Sequence, residues 1–337
     1  MRETRISLIG AGNVGRGILS IIQGMKDQGQ LKADFRIISV SDSRGTVFDD
    51  QGINPGKVLN AKEHGDIFRS GYSKMENEDV LSLKTDIIVD VSPATRDGKA
   101  GRDLYTESFS LGKNVVTANK APLSFFWKEI MNRSASSGQQ IRYESTVAGG
   151  VPLFNLRDYC LLPSAVLDFR GIVSSTVNYI LRGMRSGMDF NRALEDASKL
   201  GIVEANFRDD TDGIDSARKT VILANSLLGS SLTLNDIKYQ GVNENTNFEG
   251  ATGEQRIVAS VGISDGRVRA RSTLENLDSE DPLITLKPQS LGYVVKTGFS
   301  GDIFVAGLRD GPLETASGVV NDILLLSGFR RMEVHST

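Results

Sequence analysis

RISLIGAGNVG, residues 5–15, is the stretch of sequence that decides the fold of this 337-residue chain. Its first five residues are mostly apolar and predict a buried strand, and the rest carries glycines spaced G-x-G-x-x-G. Apolar residues then recur at helical spacing, at Val14, Ile18, Leu19, Ile22 and Met25. A strand, a glycine turn and a helix in this order are the context in which such spacing indicates a dinucleotide-binding turn.

Each glycine of the turn has a separate expected role. Gly10 makes the tight turn, Gly12 lets the backbone approach a pyrophosphate, and Gly15 lets helix and strand pack closely. The N–H groups at the start of the helix then face the phosphate charge. The predicted phosphate site therefore consists of Gly10, Ala11, Gly12, Asn13, Val14 and Gly15.

Composition places the chain among globular proteins and excludes several function classes. Hydrophobic residues make up 39% of the chain and charged residues 24%, with a net charge of −3. Without a basic excess we expect no nucleic-acid partner, and without an apolar run long enough to span a bilayer we expect no membrane partner. The first strand begins too early to leave room for a signal peptide, so we expect a cytoplasmic protein.

The rarer residue types narrow the chemistry. Cys160 is the single cysteine, which excludes a disulfide within the chain and a zinc site built from several thiolates. The two histidines are His64, in a charged stretch, and His335, near the end of the chain. Neither position favours an acid/base role in hydride transfer, so we expect Lys, Tyr, Asp or Glu in that role.

The end of the second predicted strand, residues 35–40, bears on the choice of nicotinamide cofactor. An acid at this place takes the ribose hydroxyls of NAD, whereas a nearby arginine accommodates the 2′-phosphate of NADP. The sequence Asp42-Ser43-Arg44 offers both. Arg44 also has a plainer interpretation as one partner of an exposed salt bridge, so the residues alone leave NAD and NADP open.

Two further strands end in residues suited to ligand binding. The strands predicted at 86–91 and 114–117 have the continuous apolar runs of a parallel sheet, whose carboxyl ends are where ligands bind. We therefore expect the cofactor near Ser92, Pro93, Thr117, Asn119 and Lys120. A solvated loop lysine is the plainer interpretation of Lys120.

The expected fold class is α/β, with a Rossmann-type nucleotide-binding domain and a second α+β domain. We place the boundary after a strand at 140–144, so that residues 1–145 form the first domain and 146–310 the second. Strands predicted at 267–274, 282–286, 292–297 and 302–307 indicate a mixed or antiparallel sheet there. An apolar stripe at 316, 319, 320, 323 and 324 predicts a helix that packs back on the first domain, which about 311–337 would complete.

A dense charged stretch lies in the second domain. Acids occur at 204, 209, 210, 212 and 215, and one lysine follows on a helix predicted at 214–228. Asp215 and Lys219 are four residues apart, so their side chains share a helix face. A surface ion pair worth only about 0.3–0.5 kcal/mol is the plainer interpretation, and the density of acids is the argument against it.

With these motifs, the chain resembles the homoserine dehydrogenases over about residues 4–327. The resemblance rests on the glycine turn and on VTANK at 116–120, YESTVAGGVP at 143–152 and NYIL at 178–181. The most diagnostic part is LGIVEA at 200–205, followed by Asp210, Gly213, Asp215, Ala217 and Lys219.

The resemblance implies NAD(P)-dependent interconversion of L-homoserine and L-aspartate 4-semialdehyde, in threonine, methionine and isoleucine biosynthesis. Lys219 would be the acid/base, and Lys120 would help to bind substrate near the nicotinamide. Asp215, the third implied catalytic residue, would bind or orient the homoserine hydroxyl and amino groups. The remaining implied substrate contacts are Glu204, Asp210, Gly201 and Thr176, and Gly311 and Lys62 join the cofactor contacts. Arg44 and Lys62 together favour NADP over NAD.

The resemblance also implies a homodimer and a monovalent cation. Glu144 and the carbonyls of Val147, Gly149 and Val151 match the place where relatives hold a cation, usually sodium. We expect the second domain to serve catalysis and dimerisation, and we expect no regulatory domain at the C-terminus. The chain departs from the usual pattern at Ser174-Ser175-Thr176 and at residues 306–315.

Other functions remain open at this point. An aspartate-semialdehyde dehydrogenase needs a thiol nucleophile with a base, and Cys160 has no histidine near it in sequence. A sugar or cyclitol dehydrogenase would use Lys120 but would leave the charged stretch at 204–219 unexplained. A non-catalytic nicotinamide sensor would bind cofactor without turnover, because a fold does not determine a function.

Overall fold

The protein is described from a computed structural model, which covers residues 3–31, 35–200, 207–246, 248 and 253–329. The chain divides into two compact units. The first comprises Met1–Asn119, Lys128–Ser145 and Thr315–Thr337, and the second comprises Lys120–Trp127 and Thr146–Glu314.

The secondary-structure elements of the described residues are numbered in chain order. The strands are β1 (Thr4–Ile9), β2 (Phe35–Asp42), β3 (Gly45–Phe48), β4 (Ser73–Met75), β5 (Ile87–Asp90), β6 (Asn114–Thr117), β7 (Ile141–Arg142), β8 (Val166–Ile172), β9 (Lys238–Tyr239), β10 (Glu254–Ser264), β11 (Arg267–Leu277), β12 (Leu291–Thr297) and β13 (Asp302–Gly307). The helices are α1 (Asn13–Asp27), α2 (Pro55–Glu63), α3 (Lys99–Ser110), α4 (Lys120–Ser137), α5 (Ser175–Arg185), α6 (Phe190–Lys199), α7 (Phe207–Thr211), α8 (Ile214–Leu228) and α9 (Pro312–Leu326).

The sheet of the first unit has the strand order β4-β3-β2-β1-β5-β6-β7. Strands β2, β1, β5, β6 and β7 are parallel, and β3 and β4 add an antiparallel edge. Ile6 and Leu8 of β1 and Val89 of β5 are completely buried, as expected where helices cover a parallel sheet. The carboxyl ends of β1, β2, β5 and β6 therefore lie along one edge of the sheet.

The edge strands of this sheet differ from the expectation. Strands β3 and β4 are short and were not predicted, because three or four residues carry too little periodicity to identify a strand. Strand β7 covers only Ile141–Arg142 rather than 140–144. It ends early because Glu144 begins a 3₁₀ turn, and the Glu144 backbone N–H donates to Asp322 Oδ2 at 2.9 Å.

The C-terminal helix α9 returns to the first unit, which confirms the prediction. Ala316, Val319, Val320 and Ile323 belong to the same hydrophobic core as the residues of β1. Asp322 on this helix is almost fully buried, and it accepts the backbone hydrogen bond that ends β7. An apolar stripe and one buried acid thus anchor the end of the described chain.

The sheet of the second unit has the order β13-β12-β8-β10-β11-β9. It is mixed, as predicted, since β9 runs parallel to β11 and the other neighbours are antiparallel. Strand β10 was not predicted, because its middle is buried on both faces and lacks alternation. The strand expected at 282–286 is wrong: Pro282 begins a 3₁₀ turn whose first N–H group, on Leu283, donates to Asp281.

Two segments group differently from the boundaries expected from the sequence. Lys120–Trp127 belongs with the second unit although it follows β6, and residues 311–314 belong there as well. Helix α4 is kinked at Phe126, whose φ and ψ are −125° and 27°. Side-chain contacts explain why the segment Lys120–Trp127 groups with the second unit. Lys120 pairs with Asp215, and the Phe125 ring lies under the Arg218 guanidinium.

Candidate active site and nucleotide-binding site

The glycine turn after β1 has the geometry that a dinucleotide phosphate needs. Gly10 has a φ of +108°, and a Cβ atom there would lie 2.7 Å from the Val91 carbonyl oxygen. A Cβ atom on Gly15 would lie 1.9 Å from the Gly10 carbonyl oxygen, so helix α1 can approach the turn only without a side chain. A Cβ atom on Gly12 would meet no atom within 4 Å, which leaves space beside the backbone.

The start of α1 adds the charge preference. The N-cap residue of the helix is Gly12, which has no side chain to accept from the first N–H groups. Free N–H groups and the helix dipole together favour an anion. The residues present therefore fit the pyrophosphate of a nicotinamide dinucleotide.

At the end of β2 the structure brings Asp42, Arg44 and Lys62 together. Lys62 Nζ lies 2.6 Å from Asp42 Oδ2, and the Arg44 backbone N–H donates to Asp42 Oδ1 at 2.8 Å. The Arg44 guanidinium donates to the Gly65 carbonyl and lies 3.5 Å from Asp66 Oδ1. Arg44 is thus held in a local network, which agrees with its interpretation as a salt-bridge partner. Lys62 forms the ion pair with the Asp42 carboxylate.

The Asp42 carboxylate stays ionised in this network. Burial raises the pKa of Asp42, but the hydrogen bonds from Lys62 and from the Arg44 backbone outweigh burial, so the net pKa lies below its ordinary value. The Asp42 side chain is only 5% exposed, compared with 45% for Arg44. The acid that could take ribose hydroxyls is therefore already engaged.

The ends of β5 and β6 carry a buried polar network that the sequence reasoning missed. Asp90 Oδ2 accepts from the Tyr105 hydroxyl at 2.6 Å and from Asn119 Nδ2 at 3.3 Å. Asp90 Oδ1 accepts from Ser92 Oγ at 2.6 Å and from the Ser92 backbone N–H at 3.0 Å. An aspartate at the end of an otherwise apolar strand was the available signal for Asp90, whereas nothing in the sequence singles out Tyr105. Pro93 is exposed next to Ser92.

In the second unit, one carboxylate bridges the two predicted lysines. Lys120 Nζ lies 2.6 Å from Asp215 Oδ1, and Lys219 Nζ lies 2.8 Å from Asp215 Oδ2. The second distance is the i,i+4 pair on α8, but its partners are nearly buried, unlike an ordinary surface pair. Only the tertiary structure shows that Lys120, far away in sequence, shares this carboxylate.

The electrostatics of this cluster favour charged partners. Burial raises the pKa of Asp215, but the positive charges of Lys120 and Lys219 together with their hydrogen bonds bring it well below its usual range. Lys219 Nζ also donates to the Val173 carbonyl oxygen at 2.6 Å. The contacts among the described residues thus use two of the three N–H donors of this ammonium.

Other predicted substrate residues lie on elements around α8. Thr176 is buried in the first turn of α5, three residues after Val173, and Asp210 lies on the short helix α7. Arg218, next to Lys219, holds α7 through an ion pair of 3.2 Å with Asp209. Glu204 and Gly201, both predicted substrate contacts, lie outside the described residues.

The predicted cation ligands lie along one stretch of chain. Glu144 is buried at the start of a 3₁₀ turn, and Val147 and Val151 are buried in the segment that follows it. Gly149 has a φ of +57°. Within the described ranges, no three His, Cys, Asp or Glu side chains are grouped as ligands of a metal ion.

Gly311, predicted to contact the cofactor, belongs to the second unit rather than the first. It lies just before α9, and a Cβ atom there would come within 2.9 Å of Glu314 Oε2.

In the part of the chain that the structure describes, no helix is both long enough and apolar enough to cross a membrane.

A parallel sheet with a phosphate-binding turn, combined with a buried lysine held by a carboxylate, provides the parts for hydride transfer coupled to proton transfer. This combination defines the class of nicotinamide-dependent oxidoreductases. Comparison with known proteins is more specific. The family model described as "Homoserine dehydrogenase" matches residues 152–324, and "Homoserine dehydrogenase, NAD binding domain" matches residues 10–144. The chain therefore belongs to the homoserine dehydrogenase family.

Individual relatives agree with the family models over nearly the full length. A homoserine dehydrogenase of Methanocaldococcus jannaschii is 32% identical over 95% of this chain and 97% of its own. The crystal structure of the enzyme from Thermoplasma acidophilum has a TM-score of 0.89 and 41% identity, covering 97% of this chain and 100% of its own. A hyperthermophilic archaeal homoserine dehydrogenase in complex with NADPH has a TM-score of 0.83 and 27% identity, covering 98% and 100%.

Proposed function

We propose that this chain interconverts L-homoserine and L-aspartate 4-semialdehyde with a nicotinamide cofactor, in the biosynthesis of threonine, methionine and isoleucine. The observation that carries the proposal is the Asp215 carboxylate shared by Lys120 and Lys219 at 2.6 and 2.8 Å. Membership of the family supports the substrate, and the glycine turn supports the cofactor.

Lys219 is proposed as the acid/base. In the reductive direction its ammonium gives a proton to the carbonyl oxygen of the semialdehyde as that oxygen becomes a hydroxyl. The reduced nicotinamide, when bound, supplies the hydride to the carbonyl carbon. In the oxidative direction the neutral lysine takes the hydroxyl proton back. Among the described residues, Val173 and Asp215 orient the amine, and its third donor is proposed to face the substrate oxygen.

Lys120 and the acids are proposed to bind the remaining polar groups of the substrate. Homoserine is a small zwitterion, so its ammonium needs carboxylates and its carboxylate needs a cation or N–H donors. Asp210 and Glu204 are proposed for the ammonium, with Thr176 and Gly201 as further contacts. Asp215 is proposed to hold both lysines in position through its two ion pairs, because its carboxylate oxygens lie 2.6 and 2.8 Å from the two amines.

NADP is proposed as the preferred cofactor. Lys62 and the Arg44 backbone occupy the Asp42 carboxylate, so that carboxylate has little capacity left for the ribose hydroxyls of NAD. Arg44 and Lys62 together place two cations at the end of β2, where a 2′-phosphate binds in NADP-dependent folds of this kind. The archaeal relative that binds NADPH is consistent with this preference.

Several further expectations remain proposals. We propose that Glu144 and the carbonyls of Val147, Gly149 and Val151 bind a monovalent cation, sodium being the expected ion. We propose a cytoplasmic homodimer, with residues 146–310 serving catalysis and dimerisation. Residues 1–145 with about 311–337 are proposed as the nucleotide-binding domain.

The test is formation of reduced nicotinamide from L-homoserine, with NAD and NADP supplied in parallel. We expect turnover with NADP in the wild type and a loss of about a hundredfold or more in Lys219→Ala, with cofactor binding retained. Lys287→Ala, which removes an exposed lysine of the same unit, is the matched control. Absence of turnover with either cofactor at neutral and alkaline pH would refute the homoserine reaction. Cofactor binding without turnover would then favour the alternative function, a non-catalytic nicotinamide sensor.

A further inference from the structure

The buried network around Asp90 lies where the second half of the cofactor would bind. In folds of this kind the adenosine ribose lies at the end of β2 and the pyrophosphate at the turn after β1. Strand β5 lies beside β1 on the side opposite to β2, and β6 follows β5. The nicotinamide half of a dinucleotide therefore falls on the ends of β5 and β6, which carry Asp90 and Thr117.

The hydrogen bonds to the Asp90 carboxylate have a definite direction, because an ionised carboxylate can only accept. The Tyr105 hydroxyl has one proton, and its 2.6 Å bond to the Asp90 carboxylate takes it. The Thr117 hydroxyl has one proton and two acceptors within reach, the Tyr105 oxygen at 2.7 Å and the Asp90 carbonyl oxygen at 3.1 Å, and Thr117 Oγ1 accepts from the Asn119 backbone N–H at 2.8 Å. Asp90, Tyr105 and Thr117 are completely buried, so none of them gains these bonds from water instead.

Two side chains at the edge of the network are oriented by it. Ser92 gives its hydroxyl proton to Asp90, so the Ser92 oxygen offers lone pairs as acceptors. Asn119 donates its amide nitrogen to the same carboxylate, which fixes the plane of its side chain. The carboxamide of nicotinamide carries two N–H donors and one carbonyl acceptor, a pattern that oriented hydroxyl and amide groups can match.

We infer that Asp90 and Tyr105 are positioning residues that hold Ser92 and Asn119 for the carboxamide of the nicotinamide ring. The inference rests on the proposed use of a nicotinamide cofactor and adds a specific role to residues outside the family motifs. Burial and the neighbouring Asp90 charge raise the pKa of Tyr105 well above its ordinary value, so the phenol remains a donor throughout the physiological range.

The experiment compares two ligands in Tyr105→Phe, which removes the hydroxyl and keeps the ring. NADPH reports on the whole cofactor, and 2′,5′-ADP reports on the adenosine half alone. We expect the dissociation constant of NADPH to rise about tenfold, the equivalent of about 1.4 kcal/mol, and that of 2′,5′-ADP to stay within twofold. With substrate present, KM for the cofactor should rise while kcat at saturating cofactor changes little.

Tyr72→Phe is the matched control, because it removes a hydroxyl of the same unit that accepts from the Asn54 backbone N–H at 2.8 Å. Its dissociation constants for both ligands should equal those of the wild type. If Tyr105→Phe does not fold, Thr117→Val removes the hydroxyl at the other end of the same hydrogen bond and carries the same expectation.

Three results would overturn the inference. Equal weakening of NADPH and 2′,5′-ADP would show a general loosening of the unit, and unchanged binding of both would show that the network positions nothing. Failure of both variants to fold would show that the network serves the stability of the fold only.

Because binding is measured without substrate, a wild type that binds NADPH but does not oxidise homoserine would refute the proposed reaction alone. If the wild type binds NADH instead, NADH and AMP replace the two probes.

Discussion

Replacement of Asp215 by asparagine tests the central cluster most directly. The change keeps the size of the side chain and removes the charge that faces Lys120 and Lys219 at 2.6 and 2.8 Å. At an effective dielectric constant of about 20, each contact contributes roughly 6 kcal/mol of gross Coulomb attraction. Desolvation offsets most of that attraction, and loss of one partner from such a buried group costs about 3–5 kcal/mol.

We therefore expect Asp215→Asn to lower the free energy of unfolding by about 3–5 kcal/mol at pH 7, measured by urea denaturation followed by circular dichroism. Turnover of homoserine should fall with it. Glu195→Gln is the control. It breaks an i,i+4 pair with Lys199 at 2.9 Å whose side chains are 66% and 64% exposed, so it should leave the free energy of unfolding nearly unchanged.

The pH dependence gives a second readout with a definite sign. The pKa of Asp215 is lower in the folded chain than in the unfolded chain, where it is about 3.9. The stabilisation of the folded chain by ionised Asp215 is therefore fully present above about pH 4, and it is lost as the pH falls toward the pKa of Asp215 in the folded chain. The stability difference between wild type and Asp215→Asn should shrink below pH 4. A cost under about 1 kcal/mol at pH 7, or a difference independent of pH, would refute this account of the cluster.

Two further predictions concern the nucleotide site. Arg44→Ala should raise KM for NADP about tenfold, through loss of one charge-assisted bond, and leave KM for NAD nearly unchanged; equal and unaltered affinities for the two cofactors would count against the NADP preference. Gly15→Ala should abolish cofactor binding and destabilise the chain, because its Cβ would lie 1.9 Å from the Gly10 carbonyl oxygen. Gly24→Ala on the same helix meets no atom within 4 Å and should instead raise the unfolding temperature, since alanine favours the helix by up to about 1 kcal/mol.

The sequence predicted best the features that depend on neighbouring residues. Strand β1, the glycine turn and the helical stripe of α9 follow from local periodicity and from the backbone freedom of glycine. The bounds of α8, Ile214–Leu228, agree with the prediction for the same reason. Prediction failed for β10, whose both-sided burial removes alternation, and at 282–286, where Pro282 and the Asp281 cap favour a 3₁₀ turn over a strand.

The candidate site shows the same division. Its i,i+4 pair, Asp215 and Lys219, could be identified from spacing, whereas the arrival of Lys120 at the same carboxylate could not. Likewise, the acid and the cations at the end of β2 were visible in sequence, but the pairing of Lys62 with Asp42 was not. Contacts between segments that are distant in sequence depend on the tertiary fold, and no local sequence pattern encodes them.

By itself, then, the sequence determined that this chain builds a parallel nucleotide-binding sheet, carries an acid-rich helix start and resembles one family of dehydrogenases. Local steric and hydrophobic rules suffice for each of these. The tertiary structure decided which charged side chains form ion pairs and which polar side chains are buried in the same hydrogen-bond network. It joined Lys120 to Asp215, and Tyr105 to Asp90, because burial forces a charged or polar side chain to find its partner wherever the fold brings one within reach.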